Sequence, residues 1–144
     1  MDVRRGRRDI VVAAGRLAGC RVLVVEDEML IGLLIEDTLL ELGCVVVGPV
    51  GKLDAALRLA AGEALDVAVL DVNIRGGHVY PVAERLQARG VPFVLASGYE
   101  DWALDEAFRG QPRLNKPFRA KDLEEQVKAA LRQAPRGGPL VSAA

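Results

Sequence analysis

The chain has 144 residues, 51% of them hydrophobic, enough for one ordinary domain with a real core and too few for two. Its 19 basic and 20 acidic residues leave a net charge of −1, so nothing in the overall balance pulls it toward nucleic acid or a membrane. No apolar run approaches the roughly 20 residues of a membrane span, and the charged N-terminus lacks the apolar stretch of a signal peptide. The two cysteines, Cys20 and Cys44, lack metal-ligand spacing and read as free thiols of a reducing compartment, so the expected location is the cytoplasm.

Residues 1–18 collect Arg4, Arg5, Arg7, Arg8 and Arg16 around a short apolar patch, Ile10 to Ala14. The favoured reading is a flexible basic arm, ahead of a contact with nucleic acid or an acidic partner. A β-branched run, Arg21 to Val25, predicts a buried strand, and Glu28 to Leu42 a helix stopped by Gly43. Val45 to Val50 reads as the second strand, Lys52 to Ala61 as the second helix and Asp66 to Leu70 as the third strand. A Gly-Gly loop leads to a third helix, Val79 to Ala88, ended by Gly90. The fourth strand is expected over Val91 to Ala96, the fourth helix over Glu100 to Phe108, and a brief fifth strand over Arg113 to Asn115, before Pro117. An amphipathic helix, Ala120 to Gln133, closes a domain spanning 19–134, and 135–144 is a flexible Pro/Gly-rich tail. Short apolar strands alternating with helices imply one parallel sheet covered on both faces, a doubly wound α/β fold.

In such sheets ligands bind beyond the carboxyl ends of the strands. Strand one runs into Glu26-Asp27-Glu28, strand three into Asp71, strand four into Ser97 and strand five into Asn115-Lys116. Nothing comparable ends strand two, which closes with Gly48-Pro49. Clustered carboxylates repel and raise one another's pKa, and a hard divalent cation removes that cost. Mg²⁺ prefers one or two carboxylates plus waters and phosphate oxygens, which suits Glu26, Asp27 and Asp71 with a backbone carbonyl nearby. A lysine and a hydroxyl beside them suit phosphate oxygens, and an aspartate can itself be the nucleophile that forms an acyl phosphate. Each residue also has a plainer reading: Glu26-Asp27 as a helix N-terminal pair, Asp71 and Ser97-Gly98 as turns, Lys116-Pro117 as an exposed break. Their coincidence at four strand ends favours the site. His78, the lone histidine, reads as a surface residue.

Four segments, VLVVEDE (Val22 to Glu28), VLDVNIRGG (Val69 to Gly77), VLASGY (Val94 to Tyr99) and KPF (Lys116 to Phe118), in this order and spacing resemble the receiver domain of two-component response regulators. The resemblance covers about residues 20–134 and implies a five-stranded (βα)5 flavodoxin-like fold with strand order 2-1-3-4-5. By position Asp71 matches the phosphoacceptor, Asp27 the direct metal ligand and Glu26 its neighbouring acid. Asn73 matches the residue whose backbone carbonyl faces the metal, and its side chain, like Tyr99, lies where the family tunes dephosphorylation. Ser97 matches the switch hydroxyl, and Lys116 the lysine that contacts the phosphoryl group. Two departures stand out. Arg113 replaces the switch aromatic usual on strand five, and Arg75-Gly76-Gly77 replaces a commoner Met-Pro loop. VNIRGG, the segment Val79 to Tyr99 and LNKPF resemble the FAT GUY receivers, in which Tyr99 would stand in for the missing aromatic.

The resemblance implies a stand-alone receiver that takes a phosphoryl group onto Asp71 with Mg²⁺, from a histidine kinase, of HWE type in that subgroup, or from a phosphotransfer protein. It would pass the signal to a downstream protein by changing shape, or act as a phosphate sink, and would not be an enzyme beyond promoting its own phosphorylation and dephosphorylation. No DNA-binding segment follows the last helix, so no nucleic-acid partner is expected. The first helix carries apolar residues on more than one side: Leu30, Ile31, Leu33, Leu34, Ile35, Leu39, Leu40 and Leu42. Either a broad stripe covers the sheet, or part of it docks a kinase helical bundle or a second copy in a homodimer. The competing readings are a pseudo-receiver that binds without being phosphorylated and an Asp-nucleophile phosphohydrolase, the latter disfavoured because strand one lacks Asp-x-Asp.

Overall fold

Side chains alternate across a strand, so a strand buried on both faces must be apolar at every position. The third strand, VAVLD, meets that demand up to its last residue, Asp71. In the computed structural model, which describes residues 17–98 and 108–133, every residue of Val67–Asp71 is buried. The described elements run β1 (Arg21–Val25), α1 (Met29–Glu41), β2 (Val45–Val50), α2 (Leu53–Gly62), β3 (Val67–Asp71), β4 (Asn73–Ile74), β5 (Gly77–His78), α3 (Tyr80–Ala88), β6 (Phe93–Ser97), β7 (Arg113–Asn115) and α4 (Ala120–Gln133).

Five strands form one parallel sheet in the order β2-β1-β3-β6-β7. Counted along the sheet-forming strands this is the expected 2-1-3-4-5, a flavodoxin-like α/β fold. Period-two alternation divides the core. Leu23, Leu70, Phe93 and Leu95 face Ala56 and Ala60 of α2 and Val82 and Leu86 of α3. Val22, Val24, Val69 and Val94 face Ile35 and Leu39 of α1 and Leu123 and Val127 of α4. Among the described residues no helix is long and apolar enough to cross a membrane.

Three differences from the sequence expectation have local causes. Leu17, assigned to the basic arm, is fully buried, and its amide donates to the Leu42 carbonyl at 2.7 Å, so the folded unit takes it in. Two strands run one residue further than expected, because Asp71 registers with Ala96 and Ser97 with Asn115. That makes Asp71 and Ser97 the last residues of strands rather than the first of loops. The Gly-Gly loop contains a two-stranded antiparallel ribbon, β4 with β5, in which Asn73 opposes His78. The expected fourth helix, Glu100 to Phe108, lies outside the described residues except for its last position. Phe108 at its end is buried, stacked on Tyr80 with ring centroids 5.3 Å apart.

Candidate functional site

The carboxyl ends of β1, β3, β6 and β7 converge on one edge of the sheet. Glu26 follows β1 directly and is held there by its amide, which donates to the Val50 carbonyl at 2.9 Å. Asp71 ends β3, and both acids are 4% exposed, while Asp27 is half-buried. One oxygen from each of Glu26, Asp27 and Asp71 lies within 4.8 Å of the others. Lys116 follows β7, its amide donating to the Ser97 carbonyl at 2.9 Å. Its ammonium lies 3.2 Å from Asp71 Oδ2 and 3.1 Å from Glu26 Oε1.

Three carboxylates and one ammonium leave the pocket short of positive charge. Burial, then the charge of Glu26, push Asp71 up to about 7 against the opposing pull of Lys116. Burial pulls the Lys116 ammonium down, but the charges of Asp71 and Glu26 outweigh it and hold the group above its ordinary value. Glu26 Oε2 accepts from the Glu28 amide at 3.1 Å, whereas Glu26 Oε1, fully enclosed, has no hydrogen-bond partner despite the nearby ammonium. An enclosed carboxylate oxygen without a hydrogen bond, next to two more carboxylates, is the donor set of a hard oxygen-loving cation. The residues present therefore fit a divalent metal ion, with Glu26, Asp27 and Asp71 as its side-chain ligands.

The remaining expected residues fall as follows. Ser97 is buried at the end of β6, the strand beside β3, and so reaches the same edge. Asn73 lies two residues beyond Asp71 and donates its amide to Asp71 Oδ1 at 3.3 Å, which brings its backbone to the site. Tyr99 lies outside the described residues. Arg113 sits half-buried on β7, where the resemblance calls for an aromatic.

Two contributors escaped the sequence reading. His78, read as a surface residue, is exposed, but its Nδ1 lies 2.8 Å from Asn73 Oδ1 across the β4–β5 ribbon and so fixes the Asn73 side chain. The end of β2, which looked uninvolved, supplies Gly51. A Cβ there would lie 2.9 Å from Asp27 Cα and 3.0 Å from Asp27 Cβ, so only glycine lets the loop pass this close to the acid. No local pattern announced either one.

A parallel doubly wound sheet with this acidic edge defines a receiver-type α/β domain, and known proteins agree. No family model matches the chain. The solution structure of SdrG from Sphingomonas melonis Fr1 is 43% identical, with a TM-score of 0.71, over 79% of this chain and 97% of that one. SdrG in its BeF3-activated conformation matches with a TM-score of 0.67. A response regulator receiver protein from Sinorhizobium medicae WSM419 is 26% identical, with a TM-score of 0.70, over 80% of this chain and 96% of that one. Among curated proteins, the transcriptional regulatory protein PdtaR of Mycobacterium tuberculosis is 30% identical over 115 residues, 77% of this chain and 56% of that protein. The chain spans about half the length of the curated relatives it matches. It belongs to the receiver domains of response regulators.

Proposed function

We propose that this receiver accepts a phosphoryl group on Asp71 from a phosphohistidine of a kinase or phosphotransfer protein, or from a small phosphodonor. The observation that carries the reading is the Asp71 carboxylate at a strand end, gathered with Glu26 and Asp27 and 3.2 Å from the Lys116 ammonium. A carboxylate oxygen of Asp71 attacks phosphorus. The P–N bond of phosphoimidazole, or the P–O bond of acetyl phosphate, breaks, and the imidazole or acetate departs with the bonding pair. Lys116 neutralises charge on the phosphoryl oxygens. Mg²⁺, held by Glu26, Asp27, Asp71 and the Asn73 carbonyl, would supply further charge neutralisation when bound.

The new phosphoryl oxygens then draw on Ser97 and Lys116 and bias a two-state equilibrium in the surrounding loops. Similarity to a relative that takes a BeF3-activated conformation supports this. With Arg113 on β7, no aromatic switch is available on that strand, and Tyr99 takes the role, as in the FAT GUY receivers the motifs resemble. Phosphorylation and its reversal are promoted by the protein on itself, so it is a cytoplasmic signalling module rather than an enzyme acting on others. Its partners are a histidine kinase, of HWE type in that subgroup, and a downstream protein.

Partner docking falls on α1. Gly32, Ile35, Thr38 and Leu39 are its buried side, while Met29, Leu30, Leu33, Leu34 and Leu40 are exposed. The apolar residues in excess of the buried stripe therefore face outward, as a partner surface would require.

The deciding test is intact mass after incubation with Mg²⁺ and acetyl phosphate. The expected result is a base-labile phosphoryl adduct that needs Mg²⁺ and vanishes in Asp71→Asn. No adduct under these conditions, or with phosphorylated HWE-type kinases, would leave a pseudo-receiver that binds without being phosphorylated.

A further inference from the structure

The segment after β2 and the segment after Asp71 are joined at one point, where Lys52 and Arg75 form a parallel bridge. The Leu53 amide seals it by donating to the Arg75 carbonyl at 3.0 Å. Glycines bring the parts together. Gly51 packs against Asp27, and Gly76, at φ +100°, sits where a Cβ would come within 3.2 Å of Leu53 Cβ. A continuous chain of contacts thus runs from the metal-ligand candidate Asp27 through Gly51 to Lys52, across to Arg75, and back along the chain to Asn73 and Asp71.

Bridged residues project their side chains to one face. Lys52 and Arg75 are both exposed and both line a cleft of about 500 Å³ with Leu53, Leu57, Gly76 and Asp54. Among the described residues neither cation is held in an ion pair. The acid in the cleft, Asp54, accepts from the Ala55 amide at 2.7 Å. Like charges directly opposite one another are destabilising. Two cations pinned together by backbone contacts are relieved by an anion that visits them. The incoming phosphodonor is such an anion. It must reach a pocket holding three carboxylates against one ammonium, a net repulsive approach until cations intervene.

Building on the receiver reading, we propose that Lys52 and Arg75 form a cationic gate post at the mouth of the site, which attracts the phosphoryl dianion of the donor and guides it toward Asp71. They are positioning residues. They raise the encounter rate and leave the chemistry at Asp71 alone.

The test uses the full chain at saturating Mg²⁺ and low ionic strength, with acetyl phosphate as donor and adduct formation followed by intact mass. An exposed charge contributes only modestly to attraction in water. Lys52→Ala or Arg75→Ala should therefore lower the second-order rate constant about three-fold each, and the double variant about ten-fold. Salt near 0.5 M should erase the difference, because the Debye length falls to a few ångströms. Lys52→Arg should behave as wild type, and the rate at which the adduct hydrolyses should be the same in all variants. A wild type that takes no phosphoryl group sinks the phosphoacceptor reading on which this inference rests. A labelled wild type with unchanged rates in the double variant, or a loss that persists at high salt, overturns this inference alone.

Discussion

The Lys116 ammonium stands 3.2 Å from Asp71 Oδ2 and 3.1 Å from Glu26 Oε1, bridging two acids that arrive from different strands. Removing it leaves two buried carboxylates facing each other. Lys116→Met should slow adduct formation from acetyl phosphate by about 100-fold, the scale for losing one preorganised charge partner of a developing anion. Adduct hydrolysis and Mg²⁺ affinity, the latter by calorimetry, separate the roles. Mg²⁺ should bind at least as tightly once the competing ammonium is gone, while phosphorylation collapses. A variant that phosphorylates at the wild-type rate would remove Lys116 from the chemistry.

Asp71 gives the metal-free protein a defined pH dependence. Its carboxyl is raised from 3.8 to about 7 by burial and by Glu26, with Lys116 opposing. A raised folded-state value means that the folded state holds the proton more tightly. The contribution to stability is complete below about 4, declines as pH rises toward 7, and is flat above. In EDTA the Tm of Asp71→Asn minus that of wild type should grow from pH 4 to pH 7 and then level. Adding Mg²⁺ should shrink the difference, because the ion binds the folded wild type. A difference that stays constant across this range would falsify the assignment of Asp71 as the strained carboxyl.

How much of this was legible depends on the range of the signal. β1, β2, β7 and α4 fall where their apolar runs place them, and period-two burial assigns the apolar residues of β1, β3 and β6 alternately to two cores. Glu26, Asp27, Asp71, Ser97 and Lys116 were readable because a strand end is local, and the parallel topology then brings all strand ends to one edge. Gly51, the Lys52–Arg75 bridge and the His78–Asn73 bond were not. Gly51 depends on one loop passing over another, and the bridge and the His78–Asn73 hydrogen bond on a ribbon of two-residue strands, too short for any periodicity to show. Leu17 was hidden for another reason. One apolar residue next to an arginine-rich stretch carries no pattern, although the hydrogen bond its amide donates to the Leu42 carbonyl fixes it in the core.

The outward face of α1 predicts a separation of two kinds of phosphorylation. Leu30 is 80% exposed, so Leu30→Glu should leave stability within about 0.5 kcal/mol of wild type. A charge in the centre of an apolar interface costs about 2 kcal/mol or more. Transfer from a phosphorylated kinase should therefore slow roughly 30-fold, while labelling by acetyl phosphate is unchanged. Equal rates from the kinase would show that the partner docks elsewhere.

The close pass of Gly51 over Asp27 leads to a prediction that isolates geometry from charge. At Gly51 the backbone conformation is open to any residue, and what fails is space. An added Cβ meets Asp27 Cα at 2.9 Å, Asp27 Cβ at 3.0 Å and the Glu26 carbonyl oxygen at 3.4 Å. Two of these are backbone atoms and cannot turn aside, so Gly51→Ala must push the β2–α2 loop and the acidic segment apart. Overpacking of this kind costs about 1–3 kcal/mol, and the displacement falls on a proposed metal ligand. Mg²⁺ affinity measured by calorimetry should drop about ten-fold, a loss of about 1.4 kcal/mol. Gly62→Ala at the end of α2, where a Cβ meets nothing within 4 Å, serves as the control and should leave Mg²⁺ affinity untouched. Unchanged Mg²⁺ affinity in Gly51→Ala would mean that Asp27 does not hold the ion, and the metal site would have to be rebuilt around Glu26 and Asp71 alone.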